Sequence, residues 1–201
     1  MTAVARPQTD RRWLAATVRT VADQPADERE LVLAAQRGER EAFSRLVRTH
    51  ERRAYAVARA IVVNHEDAED AVQEAFLHAY RALHRFLPDQ EFGAWLHRIV
   101  ANAALDITRR RKVRDADELP ETVASPFRDP AEGSELRHRL EGALAQLPAR
   151  QRAVIVLHDV EGYRHAEIGR MLGIPEGTAR SDLHYARSAL RAVLGSVRSE
   201  L

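Results

Sequence analysis

Residues 164–191 read RHAEIGRMLGIPEGTARSDLHYARSALR: a short helical stretch, a tight turn and a longer helical stretch. Gly173 supplies the backbone freedom that a turn between crossed helices requires. Pro175 suits the opening of the next helix, where a missing amide donor costs nothing. Ile168, Met171, Leu172, Ile174 and Leu183 fall on one stripe and predict the interior. That leaves Thr178, Arg180, Ser181, His184, Tyr185 and Arg187 on the outward face of the second helix. Hydroxyl, guanidinium, imidazole and phenol groups can donate to phosphates and to base edges in a major groove. The proportions are those of a helix-turn-helix, although an ordinary helical hairpin with a solvated polar face shares the pattern.

Working outward, two further helices fit before this unit, at about 134–146 and 149–160, separated by Pro148 and followed by Gly162; the last helix extends to about 197. Upstream lies an acid-rich stretch, 115–133, with Pro120, Pro126 and Pro130 and few large apolar groups; it predicts a flexible linker. Before it, apolar residues recur at helical spacing from Glu30 onward. Leu31, Ala34 and Ala35 mark a first helix closed by Gly38, and Phe43 to Val62 a second followed by Asn64. A third helix at about 66–86 would bury Ala68, Val72, Ala75, Phe76, Ala79 and Leu83. A fourth at about 92–111 places Trp95, Ile99, Ala103 and Ile107 on one stripe. No window alternates with period two. The expected fold is all-α: an N-terminal arm over 1–26, read as mostly disordered, then two small helical domains over 27–114 and 134–201 joined by the linker.

The chain has 201 residues and a formal charge of +1, but the charge is unevenly spread. Residues 115–141 carry eight acidic against three basic groups, a net −5, between flanking blocks that are each weakly basic. Cysteine is absent, which excludes disulfide scaffolds, thiol catalysis and cysteine-ligated zinc. No apolar run approaches the roughly 20 residues a membrane helix needs, and the amino terminus lacks a signal-peptide pattern, so a cytoplasmic protein is expected.

Two other clusters bear on chemistry. The fourth helix ends in TRRRKVR, 108–114, where Arg109, Arg110, Arg111 and Lys112 can complement the helix dipole or hold a phosphate backbone. Arg98 and Asn102 lie upstream on the same helix, and Phe86 and Phe92 bracket a short loop; polar and aromatic groups beside cations suit single-stranded nucleic acid. The stretch HEDAEDAVQE, 65–74, puts Asp67 and Asp70 on one helical face, a pairing that holds magnesium in some helical synthases. Acids in a first helical turn are equally favoured by the dipole alone, and no second acidic cluster is evident. HExxH, GxSxG, GxGxxG and phosphate-binding glycine loops are all missing, so neither a cofactor nor enzymatic chemistry is expected.

Four segments in order, LVLAAQRGEREAFSRLVRTH (31–50), AEDAVQEAFLHAYRAL (68–83), FGAWLHRIVANAALD (92–106) and LPARQRAVIVLHDVEGYRHAEIGRMLGIPEGTARSDLHYAR (147–187), resemble the extracytoplasmic-function sigma factors of the sigma-70 family. The resemblance implies a subunit that binds core RNA polymerase, through the β′ clamp and the β subunit, and directs it to promoter DNA. It implies that Asp70, Gln73, Glu74 and Phe76 dock on the clamp coiled coil. Phe86, Phe92, Arg98 and Asn102 would capture flipped bases of the minus-10 element, with Arg109, Arg110, Arg111 and Lys112 along the backbone. Thr178, Arg180, Ser181, His184, Tyr185 and Arg187 would read the minus-35 element. An anti-sigma protein commonly restrains such factors.

The chain also departs from the family pattern. Gly169 replaces a usual alanine, which should loosen the first helix of the motif by up to about 1 kcal/mol. Ala179 replaces a common valine. Asp182 and Tyr185 stand where arginine is frequent, and a carboxylate at 182 would repel phosphate unless it accepts from cytosine or lies away from the groove. Two readings compete on the residues alone: a stand-alone helix-turn-helix regulator, and a magnesium-dependent helical enzyme built on Asp67 and Asp70.

Overall fold

The computed structural model describes residues 25–88, 90–117 and 135–195, and these form eight α-helices with no strand among them. The N-terminal half holds α1 (Pro25–Gln36), α2 (Arg40–Val62), α3 (His65–Ala82, continued by one 3-10 turn, Leu83–Arg85) and α4 (Phe92–Asp117). The C-terminal half holds α5 (Glu135–Ala145), α6 (Ala149–Ile155), α7 (His165–Leu172) and α8 (Glu176–Gly195). Helix α1 starts five residues before the apolar pattern becomes legible, on Pro25, whose fixed φ suits a first helical position. Helix α4 runs into the stretch expected as linker, through Asp117, and the sequence holds no breaker before Pro120. Residues 1–24 of the arm and 118–134 of the linker lie outside the described residues.

Small side chains set how closely the first half packs. Ala68, Ala71, Ala75 and Ala79 of α3 are all 0% exposed, and their three- and four-residue spacing lets α3 lie close against α2 and α4. Leu46, Val57 and Ile61 of α2 and Leu96, Val100 and Ile107 of α4 fill the space between. The α2–α3 link is abrupt: Val63 sits at φ 65, in the left-handed region, and Asn64 caps α3 by accepting from the amides of Glu66 (2.9 Å) and Asp67 (3.5 Å). Asn64 follows α2, as the sequence implies, and opens α3 as its cap.

In the second half, α7 and α8 cross as the turn chemistry predicts, with Gly173 left-handed at φ 67 and the Ile174 amide donating to the Gly169 carbonyl at 2.9 Å. Gly169 matters more than its helix propensity suggests. A Cβ there would sit 2.8 Å from the Ile174 carbonyl oxygen and 3.5 Å from the Glu176 amide. The glycine allows the turn to fold back onto α7, so the expected loosening is outweighed by the crossing it permits. Gly169→Ala should therefore destabilise the chain by about 1–3 kcal/mol in denaturant unfolding, although alanine is the better helix former; an unchanged midpoint would show that the turn can give way.

Helix α6 does not end as an α-helix. It widens into a π-turn, Val156–Val160, with the Glu161 amide donating to Val156 at 3.0 Å. Left-handed Gly162 (φ 82) then turns the chain, and the Tyr163 amide donates to Leu157 at 2.9 Å. The two halves are in contact: α6 packs on α2 and α4, α7 packs on α4, and one continuous buried cluster includes residues of both. Arg152 of α6, only 7% exposed, spans the join. Its guanidinium donates to the Ile61 carbonyl at the end of α2 (2.5 Å) and to the Leu147 carbonyl just after α5 (2.5 Å).

Candidate nucleic-acid and polymerase interfaces

Helix α8 presents one outward polar face. Arg180, Ser181, His184, Tyr185 and Arg187 are exposed and Thr178 is half-buried, while Ala179, Leu183 and Ala186 turn inward. Two arginines on that face are held by neighbouring acids. Arg180 pairs with Glu176 one turn back at 2.7 Å, and Arg187 grips Asp159 of the π-turn through Nε at 2.9 Å and through Nη2. Against burial, which pushes the Asp159 carboxyl up, the hydrogen bonds from Arg187 and His158 hold it below its usual range. Ser181 returns its hydroxyl to the carbonyls of Gly177 (3.0 Å) and Thr178 (3.1 Å).

Asp182 lies away from this face. Its side chain is 6% exposed and accepts from Arg150 of α6 through Nε (2.6 Å) and Nη2 (3.3 Å), so the carboxylate ties α8 to α6 and meets no phosphate. Tyr185, by contrast, is 61% exposed on the outward face.

On α3, Asp70 and Gln73 are exposed, and Glu74 and Phe76 are half-buried, Phe76 packing onto the core. Beside them lie two large apolar groups that sequence reading passed over, Leu77 and Tyr80, 50% and 48% exposed, with the Tyr80 ring edge-on to Phe43 at 4.9 Å. The signal was available: both fall off the alanine stripe, on the side away from the core. A shallow cleft between α3 and α4 runs past Leu77, His78 and Arg81 to Asp106 and Arg109. The acidic face of α3 is also linked to the cationic end of α4: Arg110 binds both Glu74 oxygens at 2.9 Å, and Arg111 binds Asp67 at 2.6 Å. Arg109 pairs locally with Asp106 at 2.9 Å, and Lys112 is exposed. Asp67 thus answers an arginine, and among the described residues no group of three or more His, Asp or Glu could hold a metal ion.

The loop before α4 is organised from within. Phe86 and Phe92 are 4% and 2% exposed and their rings meet at 5.7 Å, with Trp95 within 4.9 Å of Phe86 and 5.5 Å of Phe92. Gln36 of α1 donates to the carbonyls of Leu83 and Phe86, both at 2.8 Å. Neither phenylalanine offers a free face to a base; the large apolar residue exposed on the loop among the described residues is Leu87, 61% exposed. Arg98 is exposed on α4. Asn102 is half-buried, and its amide nitrogen donates to the Arg98 carbonyl at 2.7 Å and to the Met171 carbonyl of α7 at 2.9 Å. A second cleft adjoins the first, lined by Trp95, Arg98, Ile99 and Asn102.

A bundle with an exposed acidic and apolar face, beside a helix-turn-helix with an outward polar face, is the arrangement of a promoter-specificity subunit. The chain matches the family models for Sigma-70 region 2 over residues 46–114 and Sigma-70, region 4 over residues 137–190. It is 40% identical over 166 residues to the ECF RNA polymerase sigma factor SigM of Mycobacterium tuberculosis, covering 83% of this chain and 84% of that one. It is 31% identical over 171 residues to the ECF RNA polymerase sigma factor SigW of Bacillus subtilis, covering 79% and 91%. Among solved structures it resembles CnrH in complex with the cytosolic domain of CnrY, with a TM-score of 0.62 and 29% identity over 85% of this chain and 98% of that one. It also resembles the sigma factor RpoE in complex with the anti-sigma factor NepR from Bartonella quintana, with a TM-score of 0.62 and 27% identity over 76% and 96%. The chain belongs to the extracytoplasmic-function sigma factors of the sigma-70 family. It is a promoter-recognising subunit that works with core RNA polymerase and promoter DNA, in a family that is non-enzymatic. Among the described residues no helix is long and apolar enough to cross a membrane.

Proposed function

We infer that the two halves divide promoter recognition, residues 27–114 docking on polymerase and reading the minus-10 element, and residues 134–201 reading the minus-35 element. The observation that carries this division is the pair of separate polar surfaces: the outward face of α8, and the cleft of α4 containing Arg98 and Asn102. Asp70, Gln73, Glu74 and Phe76, joined by Leu77 and Tyr80, supply a face on which a polymerase coiled coil can bury apolar area within an acidic rim. Phe86, Phe92 and Trp95 shape the loop, leaving Leu87 and the helix behind it to meet an extruded base. The cost of extrusion, a few kcal/mol, is offset by a preformed pocket. Thr178, Arg180, Ser181, His184, Tyr185 and Arg187 face the upstream duplex. The chain itself catalyses nothing, acts in the cytoplasm and is held by an anti-sigma protein, as the sigma factor RpoE is seen bound to the anti-sigma factor NepR.

Run-off transcription with purified core polymerase tests the whole reading, since a stand-alone regulator would bind duplex DNA yet confer no initiation on core enzyme. Asn102→Ala tests the division. Open-complex formation should fall by roughly tenfold or more, the scale of a lost base contact, while upstream duplex binding stays nearly intact. Equal losses in both assays would refute separate readers.

A further inference from the structure

We propose that Arg187 reads a guanine edge in the minus-35 duplex, and that Asp159, outside the recognition helix, is the positioning residue that makes it a base reader. The proposal rests on the assignment of α8 to minus-35 recognition made above. Two arginines on the outward face of α8 are held by acids, and they are held differently. Arg180 meets Glu176 through one nitrogen, Nη2, at 2.7 Å, with side chains 67% and 50% exposed, so that contact exchanges freely with water or phosphate. Arg187 meets both oxygens of Asp159, Nε donating to Oδ2 at 2.9 Å and Nη2 to Oδ1, and so joins α8 to the π-turn. Asp159 is fixed in turn. Its Oδ1 lies 2.8 Å from Nδ1 of His158, and because an ionised carboxylate only accepts, the imidazole donates there. The His158 ring packs on that of His165 at the start of α7, with centroids 4.7 Å apart, and its Nδ1 lies 3.4 Å from Arg187 Nη2.

The grip on Asp159 uses one side of the guanidinium. Nη1 and the second Nη2 hydrogen remain at its outer edge, and the side chain is 46% exposed. Those leftover donors are the parallel pair that guanine O6 and N7 accept. A guanidinium held in place also has little rotamer freedom left to lose when it meets a base. Charge favours the same target. The Asp159 carboxylate cancels most of the attraction that Arg187 would have for phosphate, whereas directional hydrogen bonding survives the pairing. A contact that keeps its donors and sheds its net charge reads sequence rather than backbone.

Holoenzyme assembled from core polymerase and the full chain, presented with duplex probes randomised across the upstream element, provides the test. The unaltered chain should enrich guanine at one position. Arg187→Gln should reduce that preference roughly tenfold to hundredfold while the salt dependence of binding hardly changes. Asp159→Ala should move two readouts in opposite directions, with helical circular dichroism and core binding retained. Guanine preference should fall about tenfold, whereas affinity for unrelated duplex should rise and the slope of log affinity against log salt steepen by about one, because the freed guanidinium finds phosphate. Asp159→Asn, which keeps an acceptor without the charge, should recover part of the preference. A merely structural loss would instead lower both affinities together, and that result would overturn the proposal. Uniform weakening across sequences on Arg187→Gln, with a salt slope shallower by about one, would make Arg187 a phosphate contact and overturn it as well. An unaltered chain with no upstream base preference would overturn the assignment of α8 itself.

Discussion

Arg152→Met should lower the folding stability of the chain by about 3–5 kcal/mol, a loss on the scale of truncating a large core side chain, because it orphans carbonyls at two helix ends at once. The Arg152 guanidinium reaches Ile61 at the end of α2 and Leu147 beyond α5 at 2.5 Å each, and approaches Leu144 and Ala145 at 3.4 Å. Helix C-termini concentrate partial negative charge, so a cation is well placed there without a carboxylate partner. Burial pulls its pKa down from the usual arginine value. Methionine preserves much of the volume and none of the donors. Arg152→Lys should recover only part of the loss, since a point ammonium cannot serve both ends in the planar fork arrangement. Urea unfolding followed by circular dichroism measures both, and a loss below about 1 kcal/mol for Arg152→Met would mean the carbonyls find other partners.

Arg150→Ala should cost about 2 kcal/mol, and more than Asp182→Ala does. The pair is lopsided: the Arg150 side chain is 53% exposed, whereas that of Asp182 is 6% exposed. Removing the arginine leaves a buried carboxylate without its partner, whereas removing the carboxylate leaves a guanidinium already in contact with water. The hydrogen bond to Asp182 holds the Arg150 guanidinium's pKa above its ordinary value. The double variant should resemble Asp182→Ala alone, giving a coupling energy in a double-mutant cycle. Minus-35 binding should weaken alongside, because the pair sets how α8 stands on α6. Equal costs for the two single variants would show that Asp182 is solvated in solution.

What the sequence conveyed well was periodic. Apolar stripes at 3.6-residue spacing located the helices within a few residues, and turn chemistry at Gly173 and Pro175 located the crossing of α7 and α8. The outward set on α8 was legible for the same reason, since a helix with one buried stripe has its opposite face defined. Groups whose partners are distant in the chain were not legible. Nothing local distinguishes Arg152, which serves carbonyls 91 and 5 residues away, from any surface arginine. The sequence left open whether Asp182 meets the groove or lies away from it, and Arg150, 32 residues earlier, holds it inward. Phe86 and Phe92 flank a loop in sequence, but an aromatic cluster with Trp95 takes both rings into the core. Gly169 was weighed by propensity, a local quantity, when its role is set by the backbone that folds back upon it.

Arg110 meets both Glu74 oxygens through one nitrogen, Nη2, so on the proposed assignments the clamp contact and the phosphate contact would draw on the same ion pair. If a clamp surface engages Glu74, the guanidinium is released toward phosphate, and the affinity of the basic tail for nucleic acid rises only once the holoenzyme has assembled. Such reciprocity would keep an unaccompanied sigma subunit from wandering over chromosomal DNA, with discrimination enforced by a single exchangeable counterion.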